Sequence, residues 1–172
     1  MASSLSSTQQ TRLAREVRSR LIADAERLLV ALVTAIDERL IAAMNEAAPS
    51  RQMQLRRDAW TFFQRERGHW QVKTPKAWKL ALQLPASASP QAISDELELI
   101  GTEVADNKII VSRLVQALME KATTDVNDLA LRIRYLEGAQ ELDARDVLRP
   151  DVLLLPLIEQ WDNVGMPRDA WS

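Results

Sequence analysis

The 172-residue chain has no cysteine and only one histidine. It can therefore form neither a disulfide nor a thiolate metal site, and the paired Glu and His motifs of helical di-iron bundles are also missing. The sequence predicts no metal site. Because cysteine-free chains are typical of reducing compartments, we expect the protein to be cytoplasmic.

Glycine is also scarce, with four widely separated residues. Phosphate-binding loops of the Walker and dinucleotide types require clustered glycines, so these nucleotide-binding classes are excluded. No serine lies in a nucleophile-elbow pattern, and His69, the one available imidazole base, follows Gly68 at an expected turn. We therefore predict that the chain is not an enzyme and has no cofactor and no small-molecule ligand.

Long apolar runs are absent too. The run near the N-terminus, Leu28–Ile36, has nine residues, which is too short to cross a bilayer. Acidic residues flank it on both sides and the apolar spacing continues past them, which distinguishes it from the hydrophobic region of a signal peptide. The sequence predicts no membrane-spanning helix.

What the chain does contain is strong helix formers at helical spacing, which indicates an all-α fold. The first apolar stripe consists of Leu13, Val17, Leu21, Leu28, Leu32, Ile36, Leu40 and Met44. It predicts a long helix from Thr11 to Pro49, after a disordered N-terminus of residues 1–10. A helical face begins at Ile93, and Thr102 is a candidate cap for the helix that follows it. Another long stripe, from Ile110 to Leu136, predicts a second long helix that Gly138 ends.

Shorter helices are predicted from local start and stop signals. Ser50 caps a helix that Gly68 ends, Thr74-Pro75 opens a short one, and Pro150 opens one that Gly165 ends. Residues 85–90, rich in Pro, Ser and Ala, form a linker between N-terminal helices (11–84) and C-terminal helices (91–172). We expect an irregular bundle of about six helices, packed as one unit, with a further helix start at its C-terminal end.

The charges are unevenly distributed along the chain. The net charge is −2, but residues 1–50 are neutral, residues 51–79 carry +6 and residues 80–172 carry −8. The basic segment 51–79 also contains three of the five tryptophans and both phenylalanines. If this protein has a binding surface, segment 51–79 is where we expect it.

Three interpretations of the basic segment stay open at this level. Its aromatic residues are core residues with the cations in solvent, or a protein partner binds there, or cations and rings bind nucleic acid. We take the protein partner, including a second copy of the chain, as the functional hypothesis and nucleic acid as the alternative. The candidate partner-binding residues are Arg56, Arg57, Arg65, Arg67, Trp70, Lys73 and Trp78.

From about Ile93 onward the chain resembles a bacterial family known as domain of unknown function 1631. The resemblance is carried by Asp106–Leu114 (DNKIIVSRL), Asn127–Ile133 (NDLALRI), Asp146–Pro150 (DVLRP) and the final GMPRDAW. It is strongest over residues 93–171. Members of this family are long and helix-rich, so the resemblance implies that the chain is an N-terminal portion of a longer protein. It implies no site residue, and the functional hypothesis is a non-enzymatic helical scaffold or interaction module.

Overall fold

The structure is a computed structural model that describes residues 6–83 and 102–162. The elements in these residues are four helices: α1 (Ser7–Asn45), α2 (Ser50–Gln83), α3 (Thr102–Glu137) and α4 (Pro150–Asp162). The all-α class is confirmed. The expected number of about six helices is not, because this part of the chain holds four, of which three rather than two are long.

Several sequence predictions lie outside the described residues. These are the linker 85–90, the helical face that begins at Ile93 and the helix start at Met166-Pro167.

α1 begins earlier than its apolar stripe predicts. The Ser6 side chain accepts a hydrogen bond from the Gln9 backbone N–H at 3.3 Å, and the Gln9 side chain accepts one from the Ser6 N–H at 2.9 Å. This reciprocal capping box satisfies two backbone donors that a helix start otherwise leaves unpaired. Residues 7–10, which we predicted to be disordered, are therefore helical.

α2 passes through both predicted breaks. Gly68 does not end it, and Pro75 lies inside it rather than at the start of a new helix. A mid-helix glycine costs about 1 kcal/mol and a proline about 3 kcal/mol relative to alanine. Buried aromatic residues on both sides of these positions (Phe63, Trp70 and Trp78) pack into one core, and this burial outweighs the local cost.

α3 begins at Thr102 and ends before Gly138, both as predicted. Gly138 has φ of 63°, a left-handed conformation that favours glycine at the end of a helix. The sequence reading did not predict the kink at Ala122, where φ is −128° and ψ is 16°. There the Thr123 hydroxyl donates to the Met119 carbonyl, a side-chain bond that is common where helices bend.

The four helices pack in a ring of neighbours. α1 contacts α2 and α3, and α4 contacts α2 and α3. The larger core cluster joins α1, α2 and α4 with the loop before α4, and its buried members are Ile22, Leu29, Val33, Phe63, Trp70, Trp78, Val147 and Trp161. The smaller cluster joins the start of α1, the end of α3 and the same loop through Ala14, Ile133 and Leu148. Helices from both sides of the predicted linker therefore share a core.

Within the described ranges, we find no helix with the length and hydropathy that a membrane span requires. Leu29 and Val33, from the longest N-terminal apolar run, are instead buried in the larger core cluster.

Candidate functional site

The basic segment 51–79 lies entirely within α2, and the helix sorts its side chains by face. Since an α-helix turns 100° per residue, residues seven or eight apart share a face. Phe63, Trp70 and Trp78 follow this spacing and point into the core, whereas most of the cations lie on the opposite face. The core interpretation therefore applies to one face of α2, and the partner-binding interpretations apply to the other.

The two tryptophans proposed as partner contacts are core residues. Trp70 is 2% exposed and Trp78 is 3% exposed. The Trp70 indole N–H donates to the Leu157 carbonyl at 2.9 Å, and the Trp78 indole N–H donates to the Leu153 carbonyl at 2.8 Å. Because these bonds fix α4 on α2, a partner has no access to either ring. For these two residues the core interpretation replaces the partner-binding one.

Trp161 of α4 completes the aromatic core. Its ring stacks on Phe63 with a centroid distance of 5.6 Å and lies 5.0 Å from the Trp70 ring. Aromatic pairs at these distances contribute about 0.5–1.5 kcal/mol each beyond the area that they bury.

Two of the proposed arginines serve the α1–α2 hairpin. Arg56 donates to the Glu46 carbonyl at 3.1 Å, so it satisfies backbone oxygens at the C-terminal end of α1. Arg67 forms an ion pair with Asp37 of α1 at 3.3 Å. Asp37 also accepts the Trp60 indole N–H at 3.1 Å, which makes this carboxylate a junction between the two helices.

The other proposed cations lie on the outside of α2. Arg57, Arg65 and Lys73 are exposed, and so is Lys76, which lies one turn after Lys73. Arg57, Lys73 and Lys76 form no ion pair with any residue in the described ranges. Of the seven candidate residues, the structure therefore leaves Arg57, Arg65 and Lys73 available to a partner.

Arg65 is held in place by its neighbours. Its guanidinium lies 5.0 Å from the centroid of the Phe62 ring, and its Nε donates to Glu66 at 2.7 Å. His69 contacts the other oxygen of the same carboxylate at 3.1 Å. The hydrogen bonds from Arg65 and His69 hold the pKa of the Glu66 carboxyl below its ordinary value, so this acid stays ionised among the cations.

His69 itself is 72% exposed at its side chain and lines neither of the clefts described below. A general base works in a site that positions a substrate, and neither of these two clefts, both lined by described residues, provides one around His69. In the residues that the structure describes, no group of three or more His, Asp or Glu side chains is arranged to hold a metal ion.

The sequence reading missed an ion-pair cluster centred on Arg18 of α1. The Arg18 guanidinium donates to Asp146 at 2.5 Å and 3.0 Å and to Glu137 at 2.6 Å and 2.9 Å. Asp146 also accepts the Leu148 backbone N–H at 3.0 Å. One guanidinium thus ties the end of α3 and the following loop to α1, over 128 residues of sequence between Arg18 and Asp146.

The charge of Arg18 is stabilised by these contacts. Burial by itself would lower the pKa of the guanidinium, but the hydrogen bonds and charges of Asp146 and Glu137 outweigh it and raise the pKa above its ordinary value.

A cleft of about 400 Å³ opens beside this cluster, between the start of α1, the end of α2 and the loop after α3. Its charged lining consists of three arginines and three acids: Arg15, Arg18, Arg145, Glu137, Asp143 and Asp146. The charges balance, and Arg18 is already bonded to two of the acids. A second cleft of about 350 Å³, near Arg134 and Arg149, is shallower.

Together these features define a helical domain. Its core and its ion pairs hold four helices together, and exposed cations lie on the outer face of α2. A family model described as the N-terminal domain of a protein of unknown function (DUF1631) matches residues 9–172. The chain belongs to this family. The match includes α1 and α2, which lie outside the region where the resemblance is strongest. The chain matches no curated protein and no solved structure.

Proposed function

We propose that this chain is a non-enzymatic helical interaction module that binds a protein partner through the outer face of α2. The observation that supports it is that Lys73 and Lys76 are exposed on that face, and Arg57 is exposed nearer the start of the helix, all without an acidic partner in the described residues. The neighbouring Lys79, in contrast, pairs with Glu26 of α1 at 2.8 Å.

These cations form no ion pair among the described residues that would stabilise the fold. Lys73 and Lys76 lie three residues apart on one helix, a spacing at which like charges repel and cost a few tenths of a kcal/mol. An acidic partner surface would turn this repulsion into attraction and would guide the encounter. We expect the encounter to take place in the cytoplasm.

A charge-reversal experiment tests this proposal. The variant carries Arg57→Glu, Lys73→Glu and Lys76→Glu, and its matched control carries Arg12→Glu, Arg20→Glu and Lys121→Glu, which changes the net charge equally at exposed sites on α1 and α3. The full chain is purified from its native host, and its complexes are sized by chromatography with light scattering. We expect the α2 variant to lose its partner, or its self-association, while the control keeps it.

The proposal fails if both variants keep the same partner and mass, or if the unmodified chain has no partner and is a monomer.

Nucleic acid is the alternative ligand, since the same cations could neutralise phosphates. The rings that would stack on bases argue against it, because Trp70 and Trp78 are buried and the Arg65 guanidinium lies over Phe62. A mobility shift at low salt that the α2 variant abolishes would favour nucleic acid over protein.

A further inference from the structure

The C-terminal half of α2 carries a continuous exposed stripe, which we name the outer stripe. It comprises Arg65, His69, Val72, Lys73, Lys76 and Leu80. Successive members are one, three or four residues apart, so their side chains lie next to one another along the helix. At 1.5 Å per residue the stripe is about 22 Å long, which is enough to contact four turns of another helix.

The outer stripe is apolar as well as basic. Val72 is 54% exposed and Leu80 is 59% exposed, and they lie two turns apart with Lys76 between them. A surface that binds a phosphate backbone needs cations at these positions, because isolated aliphatic side chains make no favourable contact with phosphate groups. A helix that inserts into a membrane surface carries larger apolar residues, such as Trp, Phe and several Leu, on its lipid face.

Arg65 is prepared for binding before any partner arrives. Its contacts with Phe62 and Glu66 restrict its rotamers, so less side-chain entropy is lost when a carboxylate binds its free N–H groups. Lys73 and Lys76 have no such support and would supply adaptable positive charge.

From this charge and apolar spacing, and resting on the proposed function, we infer that the outer stripe docks an acidic amphipathic helix of a partner protein. Val72 and Leu80 contact apolar residues on that helix, one to two turns apart, and Arg65, Lys73 and Lys76 face its carboxylates. The partner is thus recognised as a helix-in-groove ligand is, through apolar anchors at helical spacing, with opposite charges around them.

Site-specific photo-crosslinking tests this inference. The photoreactive residue p-benzoylphenylalanine replaces Val72 in the full chain, expressed in its native host. A matched control carries it in place of Val30, which is 59% exposed on α1, a different helix from the one that carries the outer stripe. Mass spectrometry of the crosslinked products then identifies the segment that contacts Val72. We expect a protein segment with an excess of Asp and Glu and with apolar residues three, four or seven positions apart, crosslinked from Val72 but not from Val30.

A synthetic peptide of the crosslinked segment then gives the energetics. Val72→Ser together with Leu80→Ser, and separately Lys73→Glu together with Lys76→Glu, should each weaken its binding at least about tenfold. The salt dependence of binding should fall only with the lysine pair, since the apolar pair removes no charge. All four side chains are exposed, so circular dichroism should show unchanged folding.

Three results would overturn the inference. Crosslinking of Val72 to nucleic acid, lipid or this chain itself would identify a different occupant. A protein segment without acidic excess would leave the interaction module standing but contradict its partner class. If Val72 and Val30 crosslink equally and the α2 charge-reversal variant also keeps its partner, both the docking at the outer stripe and the proposed function are contradicted.

Discussion

At Arg18, one guanidinium satisfies two carboxylates that come from different elements. The Asp146 side chain is only 3% exposed, so its charge depends on this partner more than on solvent. Removing one member of such a pair leaves an uncompensated buried charge, which typically costs about 3–5 kcal/mol. Since Arg18 itself is partly exposed, solvent screening brings the cost here to the bottom of that range or slightly below it.

We therefore expect Arg18→Ala to lower the free energy of unfolding by about 2–3 kcal/mol, measured by urea denaturation at neutral pH. Arg18→Lys should lie between this variant and the parent, because lysine keeps the charge but lacks the planar fork that bonds two carboxylates. Arg27→Ala, which removes the exposed pair with Asp24, should change stability by less than about 0.5 kcal/mol. Equal effects of Arg18→Ala and Arg27→Ala would show that the cluster does not hold the loop.

Thr74 is a second residue with a clear energetic consequence. It is fully buried, and its hydroxyl has no hydrogen-bond partner among residues 6–83 and 102–162. A buried hydroxyl without a partner costs about 1–3 kcal/mol, and valine has nearly the same shape without the polar atom. Thr74→Val should therefore raise the melting temperature, by an amount equivalent to about 1 kcal/mol. A lower melting temperature would mean that the hydroxyl is bonded in solution.

Glu66 provides a titration that can be measured directly. Because its pKa is held below the ordinary value of 4.5, the interaction stabilises α2 above that pH and is lost as the pH falls through the pKa of the folded state. NMR titration of the Glu66 carboxyl carbon should give a midpoint below 4.5. Arg65→Ala should raise this midpoint more than His69→Ala does, since the Arg65 hydrogen bond is the larger cause. The reverse order would contradict this account of Arg65.

At the scale of the elements, α4 depends on the two indole N–H groups of α2. Trp78→Phe removes the bond to the Leu153 carbonyl and part of the buried ring, which together should cost about 2 kcal/mol. Hydrogen exchange should accelerate first at the amides of α4. Leu80→Ala, an exposed change on the same helix, should have little effect on either measurement. If α4 kept its full protection in Trp78→Phe, its attachment would not depend on that ring.

Helix boundaries could be predicted where a local sequence signal sets them, and not where distant contacts do. The starts at Ser50, Thr102 and Pro150 and the end at Gly138 agree with the structure, because caps, proline and a left-handed glycine act within one turn. The breaks predicted at Gly68 and Thr74-Pro75 were wrong. Their local cost is offset by core contacts with α4, which comes more than seventy residues later in the chain.

The candidate site shows the same limit. The sequence located a cationic segment, but periodicity around Trp70 and Trp78 fits a core face and an exposed face equally well. Only the position of α4 decides between them, and it buries both rings. The Arg18 cluster had no local signal at all, since its three members are common charged residues on α1, at the end of α3 and in the following loop.

At the scale of the whole molecule, the core crosses the predicted boundary between N-terminal and C-terminal helices. Phe63 and Trp70 of α2 pack against Trp161 of α4, and Trp78 is covered by the same helix. Exposing the three α2 side chains would cost on the order of 4.5–9 kcal/mol, at about 1.5–3 kcal/mol each. That is comparable to the whole stability of a typical domain, about 5–15 kcal/mol.

A fragment of residues 1–83 should therefore not fold cooperatively. We expect it to keep helical far-UV circular dichroism but to lose the near-UV signal of its tryptophans, to bind a hydrophobic dye and to melt without a clear transition. The full chain should instead unfold in one step, with the same midpoint by far-UV circular dichroism and by tryptophan fluorescence. Adding residues 102–172 as a separate chain should restore the near-UV signal, because α4 supplies Trp161 and the two carbonyls that accept the indole N–H groups. A cooperative transition in the fragment alone would mean that the α1–α2 hairpin is stable without α4.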